Sequence, residues 1–380
     1  MLVLSLGVIL LARSYWQSNP LFQGRSAPAW ANGLNSADPK VRARSAEAIQ
    51  SMGPEAVAPL VNALGRKEWL LKKITQNLGI KPPVALRRLY HQVFKPADAV
   101  MTRADAARAL ALLAPEAERA IPALGRALQD ESPTVSIRAA EALARIGKPA
   151  IRTLIKVLEE GEITARSSAT YAIGMIGPEA KAAIPALTEN LKHGPTYDAK
   201  QPAYALGKIG PAATPTLLQL LQEDDGTLRF LAAYAFNVMG PLAKEALPAL
   251  LSALEDSEAM VRRQAVESLM NIAPADRRVI DAFIRSIPDE EESVRSAVLQ
   301  ALNRVAYATG SAVPLLIERL TDESPAVRRW TAKLLGGMGS AAKPAVPALC
   351  EALEDADEQV RIQAREALQK IDPALLDERD

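Results

Sequence analysis

Along most of the chain, small and aliphatic residues return at helical spacing in blocks that close on glycine or on a substitute for it. Six blocks end in Gly: VRARSAEAIQSMG (41–53), VSIRAAEALARIG (135–147), ARSSATYAIGMIG (165–177), DAKQPAYALGKIG (198–210), LRFLAAYAFNVMG (228–240) and VRRWTAKLLGGMG (327–339). Four looser copies are TRADAARALALLA (102–114), VRRQAVESLMNIA (261–273), VRSAVLQALNRVA (294–306) and VRIQAREALQKID (360–372). The second position of successive copies advances by 61, 33, 30, 33, 30, 33, 33, 33 and 33 residues. The single step of 61 is one period of 33 with 28 residues inserted. Between the blocks runs a second apolar segment, marked by a proline six residues before a leucine, as in Pro122 to Leu128 and Pro347 to Leu353. Each period therefore predicts two helices of roughly 12 residues. Gly followed by Pro stops one, and an acidic or Ser residue followed by Pro starts the next, as at Glu323-Ser324-Pro325. Pro202, four residues into its copy, predicts a helix that starts late, near Gln201.

Two antiparallel helices per 30 to 33 residues predict an all-α fold, an α-solenoid (superhelix) of about ten two-helix repeats, because no single pair can bury its apolar face alone. A period of 33 also suits ankyrin and tetratricopeptide arrays, but their signature positions are missing. The pattern D-x-x-x-VR-x-x-A-x-x-A-L-x-x-IG with P-A-L-x-x-A-L resembles HEAT repeats of the short type also found in phycobilisome lyases. The resemblance covers roughly residues 36–376 and implies an armadillo-like helical scaffold, a fold that serves many functions.

Two segments break the pattern. Residues 1–12, MLVLSLGVILLA, are almost wholly apolar but too short for a full span of about 20 residues. They lack a positive stretch before them, so they also fit a signal peptide poorly. The expectation is a membrane anchor over 1–13 whose true start lies upstream, a tether over 14–35, and a cell-envelope protein of undecided sidedness; a buried first helix is the alternative. FQGRSAPAW (22–30) resembles a tether that precedes HEAT arrays in bacterial envelope proteins. The second break is the insertion at about 65–97. Over 65–95 it carries eight basic residues and one acid, Glu68. Lys67, Trp69, Lys72, Lys73, Arg87 and Arg88 form a candidate surface for an anionic membrane or a nucleic-acid backbone. The plain alternative is a solvated charged face packed on the first repeat.

Composition narrows the chemistry. The chain is 49% hydrophobic but only 4% aromatic, which suits closely packed small helices. Charge balances at 45 basic against 44 acidic residues, so no overall field selects nucleic acid. It is uneven along the chain: net +9 over 1–128, −1 over 129–254 and −7 over 255–380. One cysteine, Cys350, excludes intrachain disulfides and Cys-based zinc sites; it sits at an apolar helix position and reads as a buried thiol. The two histidines, His91 and His193, stand outside any His-Glu motif, so the di-iron chemistry of the HEAT-type deoxyhypusine hydroxylases is absent. Bilin lyases share only the scaffold, and HEAT-like DNA glycosylases require a basic groove that the net charge does not provide. Glycines recur at helix ends as caps, not in phosphate loops. No catalytic residue, cofactor, metal or small-molecule substrate is expected.

One register carries a binding candidate. Six residues before each terminal Gly, or its equivalent, lie Glu47, Arg108, Glu141, Tyr171, Tyr204, Tyr234, Glu267, Gln300, Lys333 and Glu366. Seven are charged or amide residues, so the position faces solvent, and three consecutive repeats place tyrosine there. With Met175, Phe230, Leu231 and Val238 nearby, the three tyrosines compose a candidate partner-binding patch. The family resemblance implies that this helix lines the concave face. The reading is a non-enzymatic, membrane-tethered scaffold for a protein or peptide partner. Its rivals are a lyase-like or chaperone-like maturation factor for a cofactor-bearing protein, and a lipid or nucleic-acid binder acting through the insertion.

Overall fold

A computed structural model describes residues 20–65, 99–193, 199–309 and 312–372. The chain is an all-α solenoid of two-helix repeats. The one strand pair among the described residues is β1 (Leu21–Phe22) with β2 (Arg25–Ser26), antiparallel. The structure divides into two compact units, Met1–Ala205 and Leu206–Asp380. In the first unit the helices are α1 (Ala27–Gly33), α2 (Pro39–Met52), α3 (Val57–Leu64), α4 (Ala99–Leu112), α5 (Ile121–Ala127), α6 (Pro133–Ile146), α7 (Ile151–Glu160), α8 (Ile163–Ile176) and α9 (Ile184–His193). The division falls inside α10 (Lys200–Ile209). The second unit continues with α11 (Thr214–Leu220), α12 (Gly226–Met239), α13 (Leu247–Ser252), α14 (Ala259–Ile272), α15 (Arg277–Arg285) and α16 (Glu292–Thr309). It ends with α17 (Ala312–Arg319), α18 (Pro325–Gly337), α19 (Val346–Glu351) and α20 (Glu358–Ile371).

The two helices of a repeat are unequal. Four of the six blocks that close on Gly form helices of 14 residues, α2, α6, α8 and α12. In α2 and α12 an acidic cap fixes the start: the Asp38 carboxylate accepts from the Lys40 N–H at 2.8 Å, and that of Asp225 from Thr227 at 2.7 Å. The ends of all four turn at a glycine with positive φ, 78° at Gly147 and 70° at Gly177, which a residue with a Cβ adopts only under strain. The partner helices are shorter than the predicted 12 residues: α13 and α19 have six, α5 and α11 seven. The difference lies in the Gly-Pro link. It winds into 3₁₀ turns such as Gly177–Ala183 and Gly240–Ala246, and takes up residues that the periodicity assigned to the helix. Pro202 acts as expected: α10 begins at Lys200 and is only ten residues long.

Alanine and glycine let the Gly-terminated helices pack side by side. Leu143, Ile173 and Leu187 are fully buried in the first unit, as are Phe236, Leu269 and Phe283 in the second. A Cβ added at Gly336 would lie 2.7 Å from the Cα of Ala367, so α18 and α20 approach closer than two side-chained helices allow.

A ladder of arginines ties the turns together. Arg229 grips the Asp256 carboxylate through Nε (2.7 Å) and Nη2 (2.8 Å), and its Nη1 donates to the carbonyls of Glu223 and Asp224. Arg262 does the same with Asp289 and the carbonyls of Asp256 and Ser257. Arg103 with Asp130, and Arg328 with Asp355, repeat the bidentate grip. Each carboxylate also accepts a backbone N–H two residues on, which fixes the turn before the next helix. Burial pushes the Asp256 and Asp289 carboxyls up, but the arginine hydrogen bonds, a backbone N–H and nearby guanidinium charge outweigh it and hold both below the ordinary value. For Asp355 the Arg328 hydrogen bond is the leading cause of the same lowering.

Three expectations change, and one buried acid is new. Residues 21–33, expected within a tether, form the β1–β2 hairpin and α1. Trp30 is the cause: its ring is buried, its Nε1 donates to the Phe22 carbonyl at 2.9 Å, and the guanidinium of Arg25 lies 4.7 Å from the ring centroid. With Ala27, Ala31 and Leu34 it covers the apolar end of α2 and α4, which would otherwise face water. The expected membrane tethering is also corrected. Among the described residues no helix is long and apolar enough to cross a membrane, and the apolar run 1–12, with the rest of the expected anchor 1–13, lies outside them. Cys350 is half-buried, not buried, because Leu349 takes the inward position on the short helix α19. Asp105, an acid inside the apolar face of α4, is 3% exposed and accepts from the Asn35 amide, while Arg108 donates to Asn35 Oδ1 at 2.6 Å. Burial raises the Asp105 carboxyl to about 6 against the pull of Arg108 and Arg138.

Candidate functional site

None of the ten register positions six residues before the block ends is buried. On a helix, residues four before and four after lie on the same face, so each repeat presents a strip of three side chains. In the first unit these strips include Ile137-Glu141-Arg145 on α6 and Ser167-Tyr171-Met175 on α8; Tyr204 stands on α10. Tyr171, Met175 and Tyr204 are 40%, 49% and 40% exposed, which is high for large apolar side chains. The Tyr204 ring edge sits 3.7 Å from where a Cβ at Gly174 would stand. Gly174 thus makes room for the ring beside the Tyr171–Met175 turn. Ile137 is likewise exposed and was not singled out from sequence; spacing by four residues from Glu141 is the signal that places it on this face.

In the second unit the strip on α12 is Phe230-Tyr234-Val238, all half-buried. Leu231 is corrected. It is 2% exposed and belongs to the core with Ala235 and Phe236, because one residue along a helix turns about 100° away from the Phe230 face. It cannot touch a partner. The insertion candidates Lys67, Trp69, Lys72, Lys73, Arg87 and Arg88 all lie outside the described residues.

Next to the α12 strip, α14 and α16 enclose a cleft of ≈ 500 Å³. Arg263, Glu267, Asn271, Gln300 and Arg304 form its walls, and Val266, Met270, Ala297 and Ala301 its floor. Asn237 closes one end; the Asn271 amide donates to its carbonyl at 2.8 Å and to its side-chain oxygen at 3.1 Å. Arg263 reaches Glu267 at 3.3 Å, a pair that stays largely in water. Arg304 is exposed and has no carboxylate partner among the described residues. On α18, Trp330 is half-buried under Lys333, 4.4 Å from the ring centroid, and Arg329, 5.7 Å from it. Among the described residues, no three His, Cys, Asp or Glu side chains converge as metal ligands.

Comparison with known proteins bears on the scaffold. The family described as HEAT repeats matches residues 91–174, 184–270, 214–303 and 280–369, and the PBS lyase HEAT-like repeat matches residues 165–193. No curated protein matches the chain. Among solved structures, an engineered protein is similar at 21% identity over 91% of this chain and 98% of its own, with a TM-score of 0.36. The Escherichia coli protein YibA is similar at 18% identity over 77% and 98%, TM-score 0.38. Importin beta is similar at 13% identity over 91% and 55%, TM-score 0.40.

Proposed function

Because the chain belongs to the HEAT-repeat family, we propose that it is a non-enzymatic scaffold that holds a segment of a partner protein on the face of its Gly-terminated helices. The observation that carries this reading is the exposed cluster of Tyr171, Met175 and Tyr204 in the first unit, whose tyrosines stand where the repeats without tyrosine carry charged or amide side chains. Large apolar side chains in water cost solvation unless something covers them, and tyrosines on a rigid helix bind a partner at little entropic cost. Phe230, Tyr234 and Val238 supply similar chemistry in the second unit, half-buried in the unbound chain.

A photo-crosslinking amino acid placed at position 204, and at position 242 as a control, tests the reading. Leu242 is 67% exposed and stands in the 3₁₀ turn Gly240–Ala246, not on a Gly-terminated helix. Discrete crosslinked partners at 204, absent at 242 and lost on Tyr171→Ala with Met175→Ala, support the assignment. Equal labelling at both positions refutes it. The lyase-like or chaperone-like reading draws on the match of residues 165–193 alone, and a chromophore retained by the purified protein would favour it.

A further inference from the structure

The part of the chain that follows residue 254 is net acidic, −7 over 255–380. Its Gly-terminated-helix face is not. The strips on α14, α16, α18 and α20 carry five cations, Arg263, Arg304, Arg329, Lys333 and Lys370, against two carboxylates, Glu267 and Glu366. Most of the other described acids of this region lie at the turns, where Asp256, Asp289 and Asp355 hold the arginine ladder, while Asp281, Glu318 and Glu351 stand on the shorter partner helices. Charge is therefore sorted by surface: acid along the turns, base along one helix face. We propose that this face of the second unit receives an acidic segment of a partner polypeptide, and that Arg263, Arg304, Arg329 and Lys333 meet its carboxylates. The inference rests on the scaffold reading above and names the chemistry of the partner.

Three features select a polypeptide. The ≈ 500 Å³ cleft between α14 and α16 has an apolar floor and walls that alternate guanidinium with the amides of Asn271 and Gln300. Amide side chains pair with peptide N–H and C=O groups, and an apolar floor takes side-chain methylenes. Glu267 projects into the same cleft. An unbroken run of phosphates would be repelled there, whereas a peptide places its carboxylates singly and can offer Glu267 a backbone N–H. Spacing gives the register. Neighbouring packed helices lie roughly 10 Å apart, about three residues of extended chain. The cations stand one helix apart, at Arg263, then Arg304, then the Arg329–Lys333 pair on Trp330. Arg263 and Arg304 also stand at opposite ends of their strips, eight residues or about 12 Å apart along the axis, so a matching segment carries an acid at about every fourth residue.

The test uses the full chain and a fluorescein-labelled peptide with Glu at every fourth position between Ser and Gly, read by fluorescence anisotropy. Its Gln counterpart and an oligodeoxynucleotide of equal charge serve as comparison probes. The expected result is saturable binding of the Glu peptide that weakens several-fold between about 50 and 200 mM NaCl, with none for the Gln peptide. Arg304→Glu with Lys333→Glu should weaken it at least about tenfold. Both residues are exposed, so an unchanged melting curve confirms that the variant is folded. Arg304→Gln with Lys333→Gln is the second variant, expected to be intermediate. Failure of the Glu peptide to saturate overturns the inference, as does equal binding by wild type and the charge-reversed variant. Tighter binding of the oligonucleotide, lost in the same variant, also overturns it. If the Glu peptide fails while crosslinks at position 204 persist, this inference falls and the scaffold reading stands.

Discussion

The Arg262→Ala change probes what holds one repeat to the next. It removes a guanidinium that makes four hydrogen bonds: two to the Asp289 carboxylate, at 2.8 and 3.0 Å, and two to the carbonyls of Asp256 and Ser257, at 2.8 and 3.2 Å. Both partners of the ion pair are 8% exposed. After the change, the Glu291 N–H at 2.9 Å still bonds Asp289, but the arginine is gone and little water reaches the carboxylate. An exposed arginine–carboxylate pair is worth only ~0.2–1 kcal/mol. Breaking a buried, bidentate pair costs more, ~3–5 kcal/mol. Glu290, 3.6 Å from Arg262 and 85% exposed, marks the solvent edge and argues for the lower end, about 3 kcal/mol. Urea unfolding of Arg262→Ala, Asp289→Ala and the double variant measures the pair directly, with an expected coupling of ~1.5–3 kcal/mol. Arg295, which among the described residues bonds only the carbonyls of Asp289 and Glu290, should cost about 1 kcal/mol when cut to Ala. Acid titration gives a second readout. The folded-state carboxyls of Asp256, Asp289 and Asp355 sit below the ordinary value, so their stabilisation is present above about pH 4 and is lost as pH falls through the folded values. Arg262→Ala should flatten that acid loss. A destabilisation under about 1 kcal/mol with no coupling to Asp289 would refute the reasoning and return the ladder to surface ion pairs.

Three further outcomes are expected. Asp105 has the opposite sign: its raised folded value means that stability falls as pH rises from about 4 to about 6, by on the order of 3 kcal/mol, and Asp105→Asn should remove that slope in pH-dependent thermal melts. Gly336→Ala places a methyl 2.7 Å from the Ala367 backbone, so despite a helix-propensity gain of about 1 kcal/mol it should destabilise by ~1–3 kcal/mol in denaturant melts, and a neutral result would mean that α18 and α20 can separate freely. Tyr204→Ala, at an exposed position, should shift the melt by under about 0.5 kcal/mol, whereas half-buried Tyr234→Ala should cost about 1–2 kcal/mol; equal shifts would contradict their different burial.

Period, helix type and caps were legible in the chain itself, because each is a local property. Glycine at the block end, proline after it, and Asp or Ser before the next helix each act within a few residues, and Gly147, Asp38 and Pro202 do in the structure what their positions imply. The face bearing Tyr171, Met175 and Tyr204 was legible for the same reason, since a helix fixes which residues share a side. What the sequence did not carry is how those helices pair. Whether Arg262 is an exposed or a buried cation depends on Asp289, 27 residues on, arriving from the next turn. Whether Trp30 belongs to a tether or to a cap depends on the end of α2 and α4 needing cover. Leu231 and Phe230 are neighbours of similar hydrophobicity, and only the packing of α12 sends one into the core and leaves the other at the surface. The cationic strip is hidden in a segment of net acidic charge, because summing charge along the chain erases the direction in which each side chain points. Burial and charge pairing are set by residues brought together across repeats, and only the stacked helices determine which ones meet.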